Sequence, residues 1–267
     1  MGFEQFRKAT ADSIKAVSKK DRPEKLDEIQ RTEEYWKARS EKLKAVVQPT
    51  ELSEDRISLH WKIKSVYHGT DTAGINVLNF AEESTIGNHA VYFTIDPALA
   101  MGYAKLRGKE RKTGQSHLYE ATLRDTNLLN WAEQETVKKL GKEFGDYCFT
   151  AWEELGTLEY KDFSQKHGLW GHVEKRTALY ALKKIIEICD HPDKLNGGNI
   201  KTISQGVMGI FFEKFVKDKG YDGVITIEGG DDQEFTAKSG ISVVLFNREK
   251  ILSHRAIDIT PERNLRS

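Results

Sequence analysis

Four consecutive residues, Tyr67-His68-Gly69-Thr70, set an imidazole beside a residue that has no Cβ. Near neutral pH an imidazole both donates and accepts hydrogen bonds, and a glycine lets another group approach the main chain closely. Tyr92 and Tyr103 stand eleven residues apart, and two phenol rings brought together sandwich a flat heteroaromatic ring well. A third piece, from Tyr221 to Phe246, holds the acids Glu228 and Glu234 and, at the head of an apolar run, Ser242. Taken singly these pieces are generic. A His-Gly-Thr turn is usually a surface turn, and tyrosines beside a strand and a helix are usually core.

Local patterns supply the elements that must position them. Ile63–Tyr67 alternates and is expected to be a strand ending in a turn at His68-Gly69-Thr70. Ala90–Thr94 reads as a second short strand. Asp96-Pro97 then caps a helix carrying Leu99, Ala100, Tyr103 and Ala104. A loop over Arg107–Gly114 and a strand near Leu118–Leu123 follow. Residues from 127 to about 205 read as a mostly helical, charged insertion, with helices around Glu133–Tyr147 and Thr177–Cys189 before a turn-rich stretch at His191–Gly198. Val207–Lys219 is a last helix stopped by Gly220. Tyr221–Ile227 is a strand, Glu228–Gly240 a polar loop and Ile241–Phe246 a buried β-run. Ahead of all this, the first 48 residues show apolar stripes at helical spacing (Phe3, Phe6, Ile14, Val17; then Leu26, Ile29, Trp36, Leu43, Val47), an expected helical arm that packs on the main domain or docks a partner.

Bulk composition narrows the function classes. The chain has 267 residues, enough for one large domain with an appended arm, and equal numbers of basic and acidic side chains, 41 each. No global field therefore recruits nucleic acid or an anionic membrane, and any such contact must be local. The main local excess is residues 105–112, where Lys105, Arg107, Lys109, Arg111 and Lys112 face only Glu110. That segment reads as a solvated turn or as a phosphate contact. Cys148 and Cys189 have no paired spacing, so neither zinc nor a disulfide framework is expected, and a reducing cytoplasm is the plain reading. No stretch is apolar enough to span a membrane. Asp231 and Asp232 with Glu228 lack the remaining spacing of a calcium loop, so no metal is expected.

The order and spacing of the three pieces resemble the diphtheria-toxin-like (His-Tyr-Glu) branch of the ADP-ribosyltransferases, and most closely its phage- and mobile-element-associated members. The matching strings are Tyr67-His68-Gly69-Thr70, Tyr92-Phe93-Thr94 with Ala100-x-x-Tyr103-Ala104, Gly220-Tyr221-Asp222-Gly223 and Val243–Phe246. They cover the start, middle and end of residues 63–251, leaving the arm and the insertion outside.

The resemblance implies an α+β fold with a split β-sheet core, a helical arm over residues 1–56 and a transferase-like domain over 57–267. It implies NAD as co-substrate. His68 would bond a hydroxyl of the adenine-side ribose, Gly69 would admit the nicotinamide carboxamide, and Thr70 would support the turn or the dinucleotide. Tyr92 and Tyr103 would stack about the nicotinamide. The family's carboxylate falls on Ser242, a departure that leaves Glu234 first and Glu228 second as replacements. The implied activity is mono-ADP-ribosyl transfer to a macromolecular acceptor, protein or nucleic acid, as in a toxin or effector. A catalytically lapsed NAD-binding module and an NAD-dependent RNA 2′-phosphotransferase are the alternatives.

Overall fold

The computed structural model describes residues 51–62, 64–75, 90–169, 171, 173–191, 195, 202–228 and 240–257, together with Glu34, Lys37, Ser40, Glu41 and 43–45. Eight strands form one sheet: β1 (Ser58–Trp61), β2 (Ser65–Thr70), β3 (Val91–Thr94), β4 (His117–Leu123), β5 (Thr126–Asn130), β6 (Gly223–Glu228), β7 (Gly240–Leu245) and β8 (Ile251–Ile257). Among the described residues, five α-helices are defined end to end beside them: α1 (Pro97–Glu110), α2 (Gln134–Thr157), α3 (Tyr160–His167), α4 (Lys175–Cys189) and α5 (Gly206–Asp218). The architecture is mixed α+β, as expected.

The strand order is β1-β5-β6-β7-β3-β2-β4-β8. Every pair is antiparallel except β5–β6. A parallel pair cannot be closed by a hairpin and needs a long crossover, and here helices α2 to α5 are that crossover. The expected insertion is therefore the connection between two neighbouring strands. It opens on a sheet strand, β5, and its first helix starts at Gln134.

Alternation along the strands sends apolar side chains to both faces. On one face, Leu59, Trp61, Val66, Val91, Phe93, Leu123, Leu128, Ile225, Val243 and Leu245 form a core drawn from strands along the whole sheet. Leu43, from a described helical residue of the arm, is buried in this core, and Ser40 Oγ donates to Glu133 Oε1 at 3.2 Å. These two residues therefore lie against the main domain; most of the expected arm lies outside the described residues. The opposite face carries α2, α4 and α5. Val137, Leu140, Phe144, Cys148, Ala151 and Leu155 of α2 recur every three or four residues and meet Ala181, Leu182 and Ile185 of α4 and Phe211, Phe212 and Phe215 of α5.

The structure departs from the sequence expectations at several places. Residues His68-Gly69-Thr70 are not a turn but the end of β2, registered against Tyr119, Leu118 and His117 of β4. The loop expected from Arg107 begins later, because α1 runs to Glu110. Its inward residues Ala100, Ala104 and Gly108 are small and buried, so the helix needs no larger apolar stripe to pack. Strands β1, β5 and β8 and helix α3 were not expected from the sequence.

Candidate functional site

Strands β2 and β3 share a single registered pair, Tyr67 with Thr94. Past it the backbone ladder stops although both strands continue, β2 to Thr70 and β3 back to Val91. The gap is bridged by a side chain: His68 Nδ1 lies 2.8 Å from the carbonyl oxygen of Tyr92. A carbonyl only accepts, so Nδ1 carries the proton, and in the neutral ring Nε2 keeps a lone pair for an incoming hydroxyl. Burial pushes the imidazole below its usual range, with the bond to Tyr92 offsetting part of the shift.

This fixes a pH dependence. A histidine whose folded pKa is depressed gives a stability contribution that is present above the ordinary value of about 6.5 and lost as pH falls through the depressed one. Acidification below about 6.5 should lower the urea midpoint of the native protein more than that of His68→Gln. Equal acid sensitivity in the two proteins would remove His68 as the titrating bridge.

Strand register assigns faces to the side chains. Val66 lies in the sheet's inner core, so His68 shares that face, and its ring meets Phe93 edge-on at 6.1 Å between centroids. Tyr92 alternates to the other face, where it is half-buried against the helical layer. Continuing the Tyr67–Thr94 register by two residues sets Gly69 across from Tyr92. On that face Gly69 abuts α1: a Cβ added there would overlap the Ala100 carbonyl oxygen, with its carbon at 2.6 Å and Ala104 N at 3.1 Å.

Tyr103, half-buried, immediately precedes Ala104 on this helix. Asp96 holds the start of α1, its carboxylate accepting from Ala98 N–H at 2.8 Å, with Pro97 in the first turn. The structure therefore joins His68 to the Tyr92 backbone and Gly69 to the helix of Tyr103, while the His68 and Tyr92 side chains leave opposite faces of the sheet. The Thr70 hydroxyl accepts from Thr72 N–H at 3.3 Å.

Ser242 sits in β7 between Thr94 of β3 and Thr226 of β6. With Tyr67 they form a row of four hydroxyl-bearing residues across four adjacent strands. Ser242 is only 2% exposed, and Thr94 and Thr226 are buried as well. Thr94 Oγ1 donates to the Ile241 carbonyl at 2.9 Å and accepts from Asp96 N–H at 3.2 Å, tying the end of β3 to the cap of α1. Glu228 closes β6 opposite Gly240. Glu234, with most of the loop before β7, lies outside the described residues.

Two features escaped the sequence reading. Asp71, directly after Thr70, is buried and held by Arg111 Nη1 at 3.4 Å and Thr113 Oγ1 at 3.4 Å. Arg111 therefore spends its charge locally, clamping the end of α1 to the end of β2. The Thr94 bridge is the second; a lone threonine after Tyr-Phe carried no signal for it.

Other chemistry is not assembled. No group of three or more His, Cys, Asp or Glu among the described residues could hold a metal ion. Both cysteines are buried, and burial pushes the Cys189 thiol up to about 12, which removes it as a nucleophile. His167 is buried against Phe163 and bonds Glu154 at 3.0 Å, an internal pair of the helical layer. His172 lies outside the described residues. No helix among the described residues is long and apolar enough to cross a membrane.

No protein-family model matches this chain, and no curated protein matches it. Among solved structures, a chain of the crystal structure of the M. tuberculosis MbcT–MbcA toxin–antitoxin complex aligns with 86% of this chain and 91% of its own length, at 10% identity and a TM-score of 0.33. A likeness of that extent carries no argument about chemistry, and the residues of the β2–β3 gap speak for themselves.

Proposed function

We propose that this chain is an NAD-dependent ADP-ribosyltransferase acting on a macromolecule. The observation that carries the reading is the interrupted β2–β3 ladder. There an imidazole takes the Tyr92 carbonyl through Nδ1 and keeps Nε2 free to accept, beside a glycine pressed against the helix of Tyr103. Nε2 would accept from a ribose hydroxyl on one face. The backbone at Gly69 and the rings of Tyr92 and Tyr103 would hold the nicotinamide end.

In the reaction, the bond between the nicotinamide nitrogen and ribose C1′ breaks, and its electron pair leaves with neutral nicotinamide. An acceptor lone pair then bonds C1′, and the acceptor's proton goes to solvent. A carboxylate near the ribose would stabilise the oxocarbenium-like state. Glu234 is the first candidate and Glu228 the second, because the family position is taken by the buried Ser242 hydroxyl. That same burial favours the second reading, a module that binds NAD without transferring it. A toxin or effector role, with a protein or nucleic-acid target, accords with the first.

Labelled NAD incubated with the protein and a cell extract separates the two. Transfer predicts label on a defined macromolecule, lost in His68→Ala, and NAD affinity weakened by about 1–3 kcal/mol in Tyr103→Ala. NAD-dependent thermal stabilisation without label or nicotinamide release would mean a binding module. Unchanged affinity in both variants would end the reading altogether.

A further inference from the structure

We infer that the outer face and cationic end of α1 form the acceptor-binding surface, and that the acceptor is a single-stranded nucleic acid. The inference rests on the NAD-dependent reading above and adds the acceptor class to it.

Five cations and one acid occupy residues 105–112. The structure sorts them. Arg111 is engaged by buried Asp71, and Arg107 pairs with Glu110 at 3.3 Å. Lys105, Lys109 and Lys112 are exposed and make no ion pair among the described residues. Lys105 and Lys109, four residues apart, project from the same side of the helix about 6 Å apart along its axis. Lys112 follows the last turn and takes a left-handed φ of 57°, a conformation that glycine adopts more easily. The negative end of the helix dipole accounts for cations in the last turn, Arg107 and Lys109. It does not account for Lys105, one turn earlier.

The rest of the surface supports a draped strand. At about 100° per residue, the inward seam Ala100-Ala104-Gly108 divides the lysine flank from the Tyr103 flank. Around the outside of the helix the two flanks are joined by Gly102, exposed with open space where a side chain would stand, and by Leu106, half exposed. A chain held by its phosphates on the lysines crosses that low surface, laying a base on Leu106, and comes down at Tyr103. Chemistry selects single strands: an electrophilic ribose C1′ needs a base nitrogen or a hydroxyl with a free lone pair, and base edges are free only when unpaired. An acidic protein would match the charge but gains nothing from a surface lacking a hydrophobic anchor pocket.

The test measures binding of fluorescein-labelled short single-stranded RNA and DNA, a duplex of the same sequence and polyglutamate. It uses the full-length protein, the triple variant Lys105→Gln/Lys109→Gln/Lys112→Gln, and a control with Lys142, Lys161 and Lys175 changed to Gln. Three phosphate contacts predict a fall in single-strand affinity of about 20-fold between about 50 and 200 mM salt, with that salt dependence abolished in the triple variant and retained in the control. NAD-dependent thermal stabilisation, read separately, should be equal in all three proteins. NAD binding with no single-strand binding, or with affinity unaltered in the triple variant, overturns the acceptor surface and leaves the NAD reading standing. Preference for polyglutamate or duplex overturns the acceptor class. Absence of NAD stabilisation in the unmodified protein removes the transferase reading, and the acceptor role with it.

Discussion

Gly69→Ala is expected to lower stability by about 3 kcal/mol or more, the upper end of the range for overpacking, and, on the NAD reading proposed above, to abolish NAD binding. The added methyl would meet the Ala100 carbonyl, its carbon at 2.6 Å and Ala104 N at 3.1 Å. All three obstacles are main-chain atoms of α1, so no rotamer change relieves the overlap and the helix must move as a body. Its freedom is small: Asp96 and Thr94 hold one end and the Asp71–Arg111 pair holds the other. Displacing α1 carries Tyr103 away from the β2–β3 gap, so binding fails even in the molecules that fold. Urea unfolding and NAD titration on one preparation check both parts, and a variant with wild-type stability and affinity would show that the strand and helix are not in direct contact.

Phe212→Ala is expected to cost about 3–5 kcal/mol, as large-to-small changes of buried aromatics do. Phe212 is fully buried where the helical layer meets the sheet, with ring centroids 4.9 Å from Trp131 and 5.5 Å from Phe144. Trp131 follows β5, Phe144 lies in α2 and Phe212 in α5, so the three rings join the start of the crossover, its first helix and its last. The cavity left by alanine would be lined by rigid aromatic neighbours and could collapse only partly. Chemical denaturation measures the loss; a cost below about 1 kcal/mol would mean that the layer repacks freely and is not one core.

What could be read from the sequence followed the range of the interactions involved. The start of α1 was legible because Asp96-Pro97 is a local device whose donors and acceptors lie within two residues. The helices of the crossover were legible because Val137, Leu140, Phe144 and Cys148 repeat at a spacing that only one kind of element explains. The end of β2 was misread: Gly69 and Thr70 favour turns locally, but pairing with Leu118 and His117 supplies hydrogen bonds that outweigh the preference. The last turns of α1 were misread because charge was taken for a loop, although a helix seated on alanine and glycine needs little apolar surface. β8 gave no signal since it is an edge strand with most side chains outside any core. In the candidate site, the residue types were visible but their faces were not. That His68 and Tyr92 point oppositely depends on one long-range pair, Tyr67 with Thr94, and the Asp71–Arg111 clamp joins residues forty apart.

The placement of β7 bears on how the chain is made. It lies between β6 and β3 and so joins the two parts of the sheet, yet among the described strands only β8 is made after it. Until it arrives, β3 has only one registered pair and the His68 bond to hold it, while β5 waits for a parallel neighbour on the far side of the whole helical crossover. Such long-range pairings form late and slowly. The nascent polypeptide consequently cannot close its sheet, or fix the β2–β3 pair that holds His68, until the 240–245 segment has been made.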